Sequence, residues 1–343
     1  MSGPKRKRKR PNRLIVTPLE FEQELFGEVW DEVVGSRIAE ANTPLRTPRF
    51  DPPPRLLHFT SAAGLEAILR TGILRLSQAR GSNDPMELTY GLRLARDVIR
   101  ELGAADETER EFQRGIDAGT RDRSYLGGER RIVEPHVCCF AAPLNEPDPT
   151  ETSIAHWALY GRNGAGFVLV LDGAALAGLR LVDFFPVSYE PAGQRAKLEV
   201  VVKIAKKTAI DAYRLAQRKR AREEFALYVL RSTAHAFGSI LAMHSAAMKG
   251  PMHAFEREWR LMVSYLRVKS VGKQQKFGVQ ASGPLLRSYY ERPFPKSALL
   301  EVIVGAKHYE LNEIVVTAML DDLKYRRTKV RRGEVNIRGA EGT

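Results

Sequence analysis

Apolar residues in this chain fall into short runs and helical stripes that alternate without a fixed rhythm. Leu56, Leu57 and Phe59 form a brief run that predicts a strand, with His58 inside it and Thr60 and Ser61 after it. Leu65, Ile68 and Leu69 then share one face of a short helix that Gly72 should stop. Ile73, Leu74 and Leu76 predict a second strand ending near Ser77. The stretch Gly81-Ser82-Asn83-Asp84-Pro85 reads as a turn, and Asp84-Pro85-Met86-Glu87 opens a helix that runs to Leu102 and ends at Gly103. Polar groups therefore collect where elements end, which is where sites are built.

The pattern continues in the same mixed manner. Thr17-Pro18-Leu19-Glu20 is a helix start, followed by Phe21, Leu25, Val29, Trp30 and Val33 at helical spacing. Residues 104–131 are charged and loosely helical, Ile132 to Ala141 predicts a strand, and Gly166 to Leu171 is the clearest buried strand. A short helix spans Ser153 to Gly161, with Trp157 and Tyr160 on one face. Leu179 to Tyr189 predicts another strand pair or a strand with a turn, and residues 198–248 one long helix or two joined helices. Lys249-Gly250-Pro251 breaks that helix. Period-two alternation then starts at Phe255 and runs to Val263. Strands follow over Val279 to Tyr290 and Leu299 to Gly305, then a helix from Glu313 to Lys324 capped by Asn312, and an edge strand near Lys329 to Ile337. Strands that do not alternate regularly with helices imply an α+β fold, mixed, with mainly antiparallel sheets and flanking helices.

Composition changes this picture in two ways. The 343 residues carry 54 Lys and Arg against 41 Asp and Glu, a net charge of +13 that favours a polyanionic partner. Part of the excess lies in the tail MSGPKRKRKRPNR and part in the helical runs KIAKK and RLAQRKRAREE, so nucleic acid could be met through the basic tails or the basic helix. The domain reading is a basic tail, capped helix and Pro-rich linker over 1–54, a single α+β domain over 55–325 with a helical insertion at about 198–248, and a basic C-terminal tail over 326–343. No apolar run approaches the roughly 20 residues that span a bilayer, and no signal peptide is visible. The two cysteines, Cys138 and Cys139, are neighbours, imply no disulfide framework, and fit a reducing cytoplasm, where the chain is expected. No zinc-type Cys/His spacing, phosphate-binding Gly-rich loop or nucleophile elbow is present, and no metal ligands are assigned.

Three features can carry chemistry. His58 lies on a strand, although a lone His on an apolar strand commonly serves the core. Trp157 and Tyr160 stand at i and i+3, a spacing that suits either core packing or a stacking platform. Glu256-Arg257-Glu258 enters a strand, where alternation puts both carboxylates on one face. Two such carboxylates can hold a sugar hydroxyl or stabilise developing positive charge, or one can simply pair with Arg257 or Arg260.

In order, LHFTS, GLEAILRTGILRLS, NDPMEL, VCCFA, WALYGRNGAGFVLVL, FEREWRL and VIVG resemble the bacterial family known as domain of unknown function 2971 (DUF2971), over roughly residues 55–310. Ala141 departs from that family's Ser or Thr after Cys-Phe. The opening is also similar, more remotely, to the first strand of ADP-ribosyltransferase-like domains, some of which modify DNA. That resemblance implies an ADP-ribosyltransferase-like fold and NAD as cofactor. His58 and Thr60 would hold NAD ribose hydroxyls, and Tyr160 or Trp157 would stack on nicotinamide. Glu258 would stabilise the oxocarbenium-like transition state, and Glu256 would orient the acceptor. Asn83, Asp84 and Glu87 have no assigned role in that resemblance; they would either cap the helix or, with Arg260, build another polar corner of the site.

Three readings remain open at this stage. The first is an NAD-dependent ADP-ribosyltransferase-like enzyme acting on nucleic acid or protein, in defence or toxicity. The second is a non-enzymatic nucleic-acid-binding or interaction module. The third is a metal-dependent nuclease built on Asp84, Glu87, Glu256 and Glu258.

Overall fold

The apolar run at Phe167–Asp172 becomes the interior of a large sheet in the computed structural model, which describes residues 18–46, 51–79, 87–121, 125–126, 129–130, 135–143, 154–180, 182–263, 276–282 and 285–333. The chain opens with helices α1 (Pro18–Val29) and α2 (Gly35–Arg46), joined by a π-helical turn at Trp30–Val34. Strand β1 (Arg55–Thr60), helix α3 (Ala62–Thr71) and strand β2 (Ile73–Gln78) follow, with Ser61 capping α3 and Gly72 ending it in the left-handed conformation. Next come α4 (Glu87–Glu101), α5 (Glu107–Arg121), a small hairpin of β3 (Tyr125–Leu126) and β4 (Glu129–Arg130), and β5 (His136–Ala141). The middle of the chain supplies α6 (Ile154–Leu159), β6 (Phe167–Asp172), α7 (Gly173–Ala177), β7 (Asp183–Pro186), α8 (Pro191–Arg218) and α9 (Glu223–Ser245). The last elements are β8 (Glu258–Val263), β9 (Phe277–Ser282), β10 (Leu285–Pro293), β11 (Leu299–Val304), α10 (Tyr309–Asp322) and β12 (Lys329–Arg332).

The main sheet runs β12-β11-β6-β1-β5-β2-β10-β9, with β8 also on β5 and β7 on β8. Its described pairings are antiparallel except β11 with β12. This is the mixed, mainly antiparallel α+β architecture that the irregular alternation predicts. Phe167 to Leu171 are buried on both faces because β1 and β11 flank them and helices cover them.

Strand β5 organises the sheet. One edge pairs along its length with β8. The other edge is shared: β2 pairs at His136 and Val137, and β1 pairs at Ala141. Between them the sheet splits, and the Cys139 carbonyl accepts a hydrogen bond from His58 Nδ1 at 2.9 Å. A carbonyl that loses its ladder partner inside a protein needs such a substitute.

Three apolar clusters lie on the two faces, the smallest gathering Leu57, Ala141, Trp157, Val168, Val170 and Ile303. On one, Val137, Phe185 and Met262 pack beneath α8 and α9, together with α1, α2, α4 and α5. On the other, Leu56, Cys138, Phe140, Trp259 and Leu261 pack with Leu65 and Leu69 of α3 and Val316 and Leu320 of α10. Residues 198–248 therefore resolve into two helices, and α1 and α2 belong to the same helical layer, with Val34 and Ala41 fully buried.

Some boundaries differ from expectation. The last helix starts at Tyr309, so Asn312 is inside it; His308 in the left-handed conformation precedes it without a side-chain cap. Of the expected edge strand, Lys329–Arg332 is described and runs parallel to β11, while residues 334–337 lie outside the described residues. No helix among the described residues is long and apolar enough to cross a membrane.

Candidate functional site: a buried cluster around Lys249

Only one of the two carboxylates in Glu256-Arg257-Glu258 is on a strand. Glu256 ends a 3-10 turn over Pro251–Glu256, and Glu258 begins β8. Arg257 between them adopts φ 44° and ψ 45°, the left-handed region. Its N–H donates to the Ala254 carbonyl at 3.3 Å, and its carbonyl accepts from the Ala142 N–H at 3.0 Å. A non-glycine residue in this region costs on the order of 1–3 kcal/mol and persists only where its surroundings hold it. The reversal still brings both carboxylates to one point, but by a turn rather than by strand alternation.

That point is Lys249. Its Nζ is 2.8 Å from Glu258 Oε2 and also bonds Glu256 Oε2. All three residues are 5–6% exposed. Arg260, on the same face of β8 as Glu258, grips that carboxylate with both prongs: Nε donates to Oε1 at 2.8 Å and Nη2 to Oε2 at 2.9 Å. Its Nη1 donates to the Ala246 carbonyl at the end of α9. The Cys139 thiol, opposite Arg260 in the ladder, also bonds Glu258. Glu258 is thus saturated and set deep.

Glu256 is the outer member. Its Oε1 accepts from the Tyr160 hydroxyl at 3.0 Å, with His253 Nδ1 at 3.4 Å. His156 Nε2 donates to the Glu256 carbonyl at 3.2 Å. The His156 ring stacks on Phe59 with centroids 5.6 Å apart, and Phe255 meets it edge-on. Tyr189 accepts the Glu258 N–H at 2.9 Å. Tyr160 and His253 are half-buried and form the solvent side, with Leu159 and Phe255 exposed beside them.

Electrostatics follow from burial against pairing. Burial acts to lower the Lys249 ammonium, but Glu258 and Glu256 outweigh it and raise it above its usual value. Burial raises the Glu258 carboxyl, opposed by Lys249. Burial and then the Glu256 charge push the Tyr160 phenol up, so it stays a donor. Burial pushes the Cys138 thiol up to about 12 and the Cys139 thiol well above its usual value, which makes both inert as nucleophiles.

The sheet divides the residues singled out from sequence. Glu258, Arg260, Ala141, Leu57 and Phe59 share one face by register, and Tyr160 and Trp157 lie over that face against Phe59. His58 and Thr60 alternate to the opposite face. There His58 meets Phe140, with centroids 5.6 Å apart, and Cys138; Thr60 lies against Gly64 of α3. The structure therefore does not bring His58 and Thr60 to the carboxylate pair. Burial lowers the His58 imidazole, so it is neutral with its proton on Nδ1 toward Cys139. Trp157, 2% exposed, is a core residue, closed in by Phe59, Gly161 and Gly333. Asn83 and Asp84 lie outside the described residues, as does the side chain of Glu87. Among the described residues no group of three or more His, Cys, Asp or Glu side chains could hold a metal ion.

Sequence reasoning missed Lys249, Tyr189, His156 and His253. Lys249 registers in sequence only as part of a helix-breaking Lys-Gly-Pro, and nothing local announces an ammonium that folds back onto residues seven and nine positions later. In and just after the basic helix α8, Arg195 pairs with Glu101 of α4, Lys206 with Glu109 of α5 and Lys219 with Glu28 of α1, so these three charges tie helices together.

Compared with protein-family models, curated proteins and solved structures, the chain shows no match. At the outer end of the cluster a carboxylate oxygen accepts from a phenolic O–H, and His58 and Thr60 lie away from both.

Proposed function

We propose that the protein is an ADP-ribosyltransferase-like enzyme that takes NAD and works on its ribose at the outer end of the Glu256–Lys249–Glu258 cluster. One observation carries this reading: two buried carboxylates share a single ammonium, and the outer one is tied to a half-buried tyrosine at the solvent side. Clusters of strongly perturbed, mutually dependent charges are more common at functional sites than in ordinary cores. Bound NAD would supply a glycosidic bond whose cleavage leaves positive charge on the ribose.

The roles divide by depth. Glu256 lies on the side where Tyr160 and His253 are half-buried, and there a fixed carboxylate would stabilise a developing cation. Tyr160 orients that carboxylate through its O–H and keeps its proton at neutral pH. Lys249 fixes the spacing of the two carboxylates. Glu258, closed off by Arg260 and Cys139, anchors Lys249 from behind rather than facing substrate. This reverses the roles that the resemblance gives the two glutamates, because Glu258 is gripped by the fully buried Arg260 whereas Glu256 meets the half-buried Tyr160 and His253.

The test is nicotinamide release from NAD by the purified full chain, with Glu256→Gln and Tyr160→Phe beside it. Release should fall at least a hundredfold in Glu256→Gln and less in Tyr160→Phe. An intact wild-type protein that releases no nicotinamide, with and without nucleic acid or protein acceptors, defeats the proposal.

A further inference from the structure

A concentration of arginines outside the cluster lies between α4 and α5. These two 15-residue helices form a hairpin, each about 22 Å long at 1.5 Å per residue. The inner face of α5 packs on α9 through Phe112 and Ile116, and the inner face of α4 contributes Ala95, Val98 and Ile99 to the same core. What remains outside is a cleft of about 460 Å³ lined by Arg96 and Arg100 of α4 and Arg110, Arg114, Arg121 and Asp117 of α5. Its cations are all arginine, and they run along both walls.

Three of these arginines are held loosely. Arg100, Arg110 and Arg121 have side chains 51–73% exposed and pair with carboxylates three or four residues away on their own helices, while Arg114, equally exposed, pairs with Glu107 and with the buried Glu111, which Arg231 of α9 also holds. The first three pairs are worth only about 0.3–0.5 kcal/mol, so turning to another anion costs little. Arg96 is different. Its Nε is buried with no hydrogen-bond partner, and the nearest carboxylate, Asp117, is 3.7 Å away. A donor left unmade in this way is costly, and the rest of the Arg96 side chain, 38% exposed, lines the cleft.

We infer that this cleft binds the phosphodiester backbone of a nucleic acid. Guanidinium groups match phosphate oxygens two at a time, which ammonium groups do not. An elongated groove with cations on both walls follows a polymer, whereas a small anion needs one pocket and a membrane needs a flat or apolar face. The inference is independent of the carboxylate cluster: it concerns binding, and it stands or falls without nicotinamide release.

The experiment is a salt titration of the full chain against labelled duplex and single-stranded oligonucleotides. The comparison proteins are the triple variant Arg100→Gln, Arg114→Gln, Arg121→Gln and a chain lacking residues 1–13. All three arginines are well exposed, so an unchanged urea midpoint verifies the fold. Five contacts on duplex give a slope of log K against log salt of about −4, and three lost contacts should reduce its magnitude by about 3. That corresponds to roughly a hundredfold weaker binding at 0.15 M salt. The chain lacking 1–13 should keep most of the slope. The inference is overturned if the triple variant binds like wild type, or if removing 1–13 abolishes binding. It is also overturned if phosphatidylserine vesicles bind more tightly than nucleic acid with the same arginine dependence.

Discussion

His58 and Glu258 stand on opposite faces of one sheet. Leu57 lies opposite Ala141 across the β1–β5 ladder, and Ala141 lies opposite Glu258 across β5–β8, so Glu258 shares the face of Leu57 and not of its neighbour. His58 instead meets Phe140 and Cys138 on the side of α3. The residues that a linear reading groups into one site are thus separated by the thickness of a backbone.

The two glutamates should respond differently to neutralisation. Glu258→Gln removes the carboxylate from a buried Arg260 and Lys249 and should cost about 3–5 kcal/mol of stability. Glu256→Gln leaves Lys249 its bond to Glu258 and should cost about 2 kcal/mol or less. Urea unfolding of both variants measures the difference. Equal losses would mean that Glu258 is not the deeper member.

Trp157 should behave as a core residue. Trp157→Ala should lose about 3–5 kcal/mol, and ligand addition should not quench the wild-type Trp157 emission. A stable Trp157→Ala protein that has lost ligand binding would restore the stacking role.

Two glycines give a paired prediction about the helical layer. A Cβ on Gly119 of α5 would lie 2.1 Å from the His235 carbonyl oxygen of α9. Gly119→Ala should therefore cost about 3 kcal/mol through overpacking. A Cβ on Gly27 of α1 meets nothing within 4 Å, so Gly27→Ala should stabilise by about 0.5–1 kcal/mol through helix propensity. Denaturation midpoints moving in opposite directions would establish the α5–α9 contact as a close backbone approach.

Stability should fall in mild acid. His244 is fully buried in α9, with Nε2 donating to the Ala41 carbonyl at 2.9 Å and Nδ1 without a partner. Burial, and then the charge of Lys197, lower it from 6.5 to about 4. The unfolded chain takes up this proton first as pH falls. The stabilisation is therefore complete above about pH 6.5 and is lost progressively toward pH 4, on the order of 3 kcal/mol. Burial lowers His58 and His156 as well, which acts in the same direction. Urea midpoints from pH 7.5 to pH 4.5 should drop in wild type and drop less in His244→Gln. Parallel curves would assign the acid sensitivity elsewhere.

The sequence reveals what is local here and hides what is long-range. The strands at Leu56, Ile73 and Phe167 and the Gly72 stop follow from run length and residue type. The convergence of Glu256 and Glu258 is also legible, though the period-two argument for it is replaced by a left-handed Arg257. The division of His58 from Glu258 cannot be read, because it depends on how three separate strands register. Arg260 meets Glu258 two places along one strand face, as alternation allows, whereas Lys249 finds its partners through tertiary packing, which no spacing rule encodes. The arginines of α4 and α5 are visible as charge, but their gathering into one cleft depends on α9 holding the hairpin from behind.

The central claim is that the working end of the site is Glu256 and not His58. The decisive measurement compares nicotinamide release from NAD by Glu256→Gln and by His58→Asn, in which the amide can still donate to the Cys139 carbonyl. The account predicts release by wild type, retention in His58→Asn within a few-fold, and loss in Glu256→Gln. Equal loss in both variants, with both still folded, would contradict it and return His58 to the site.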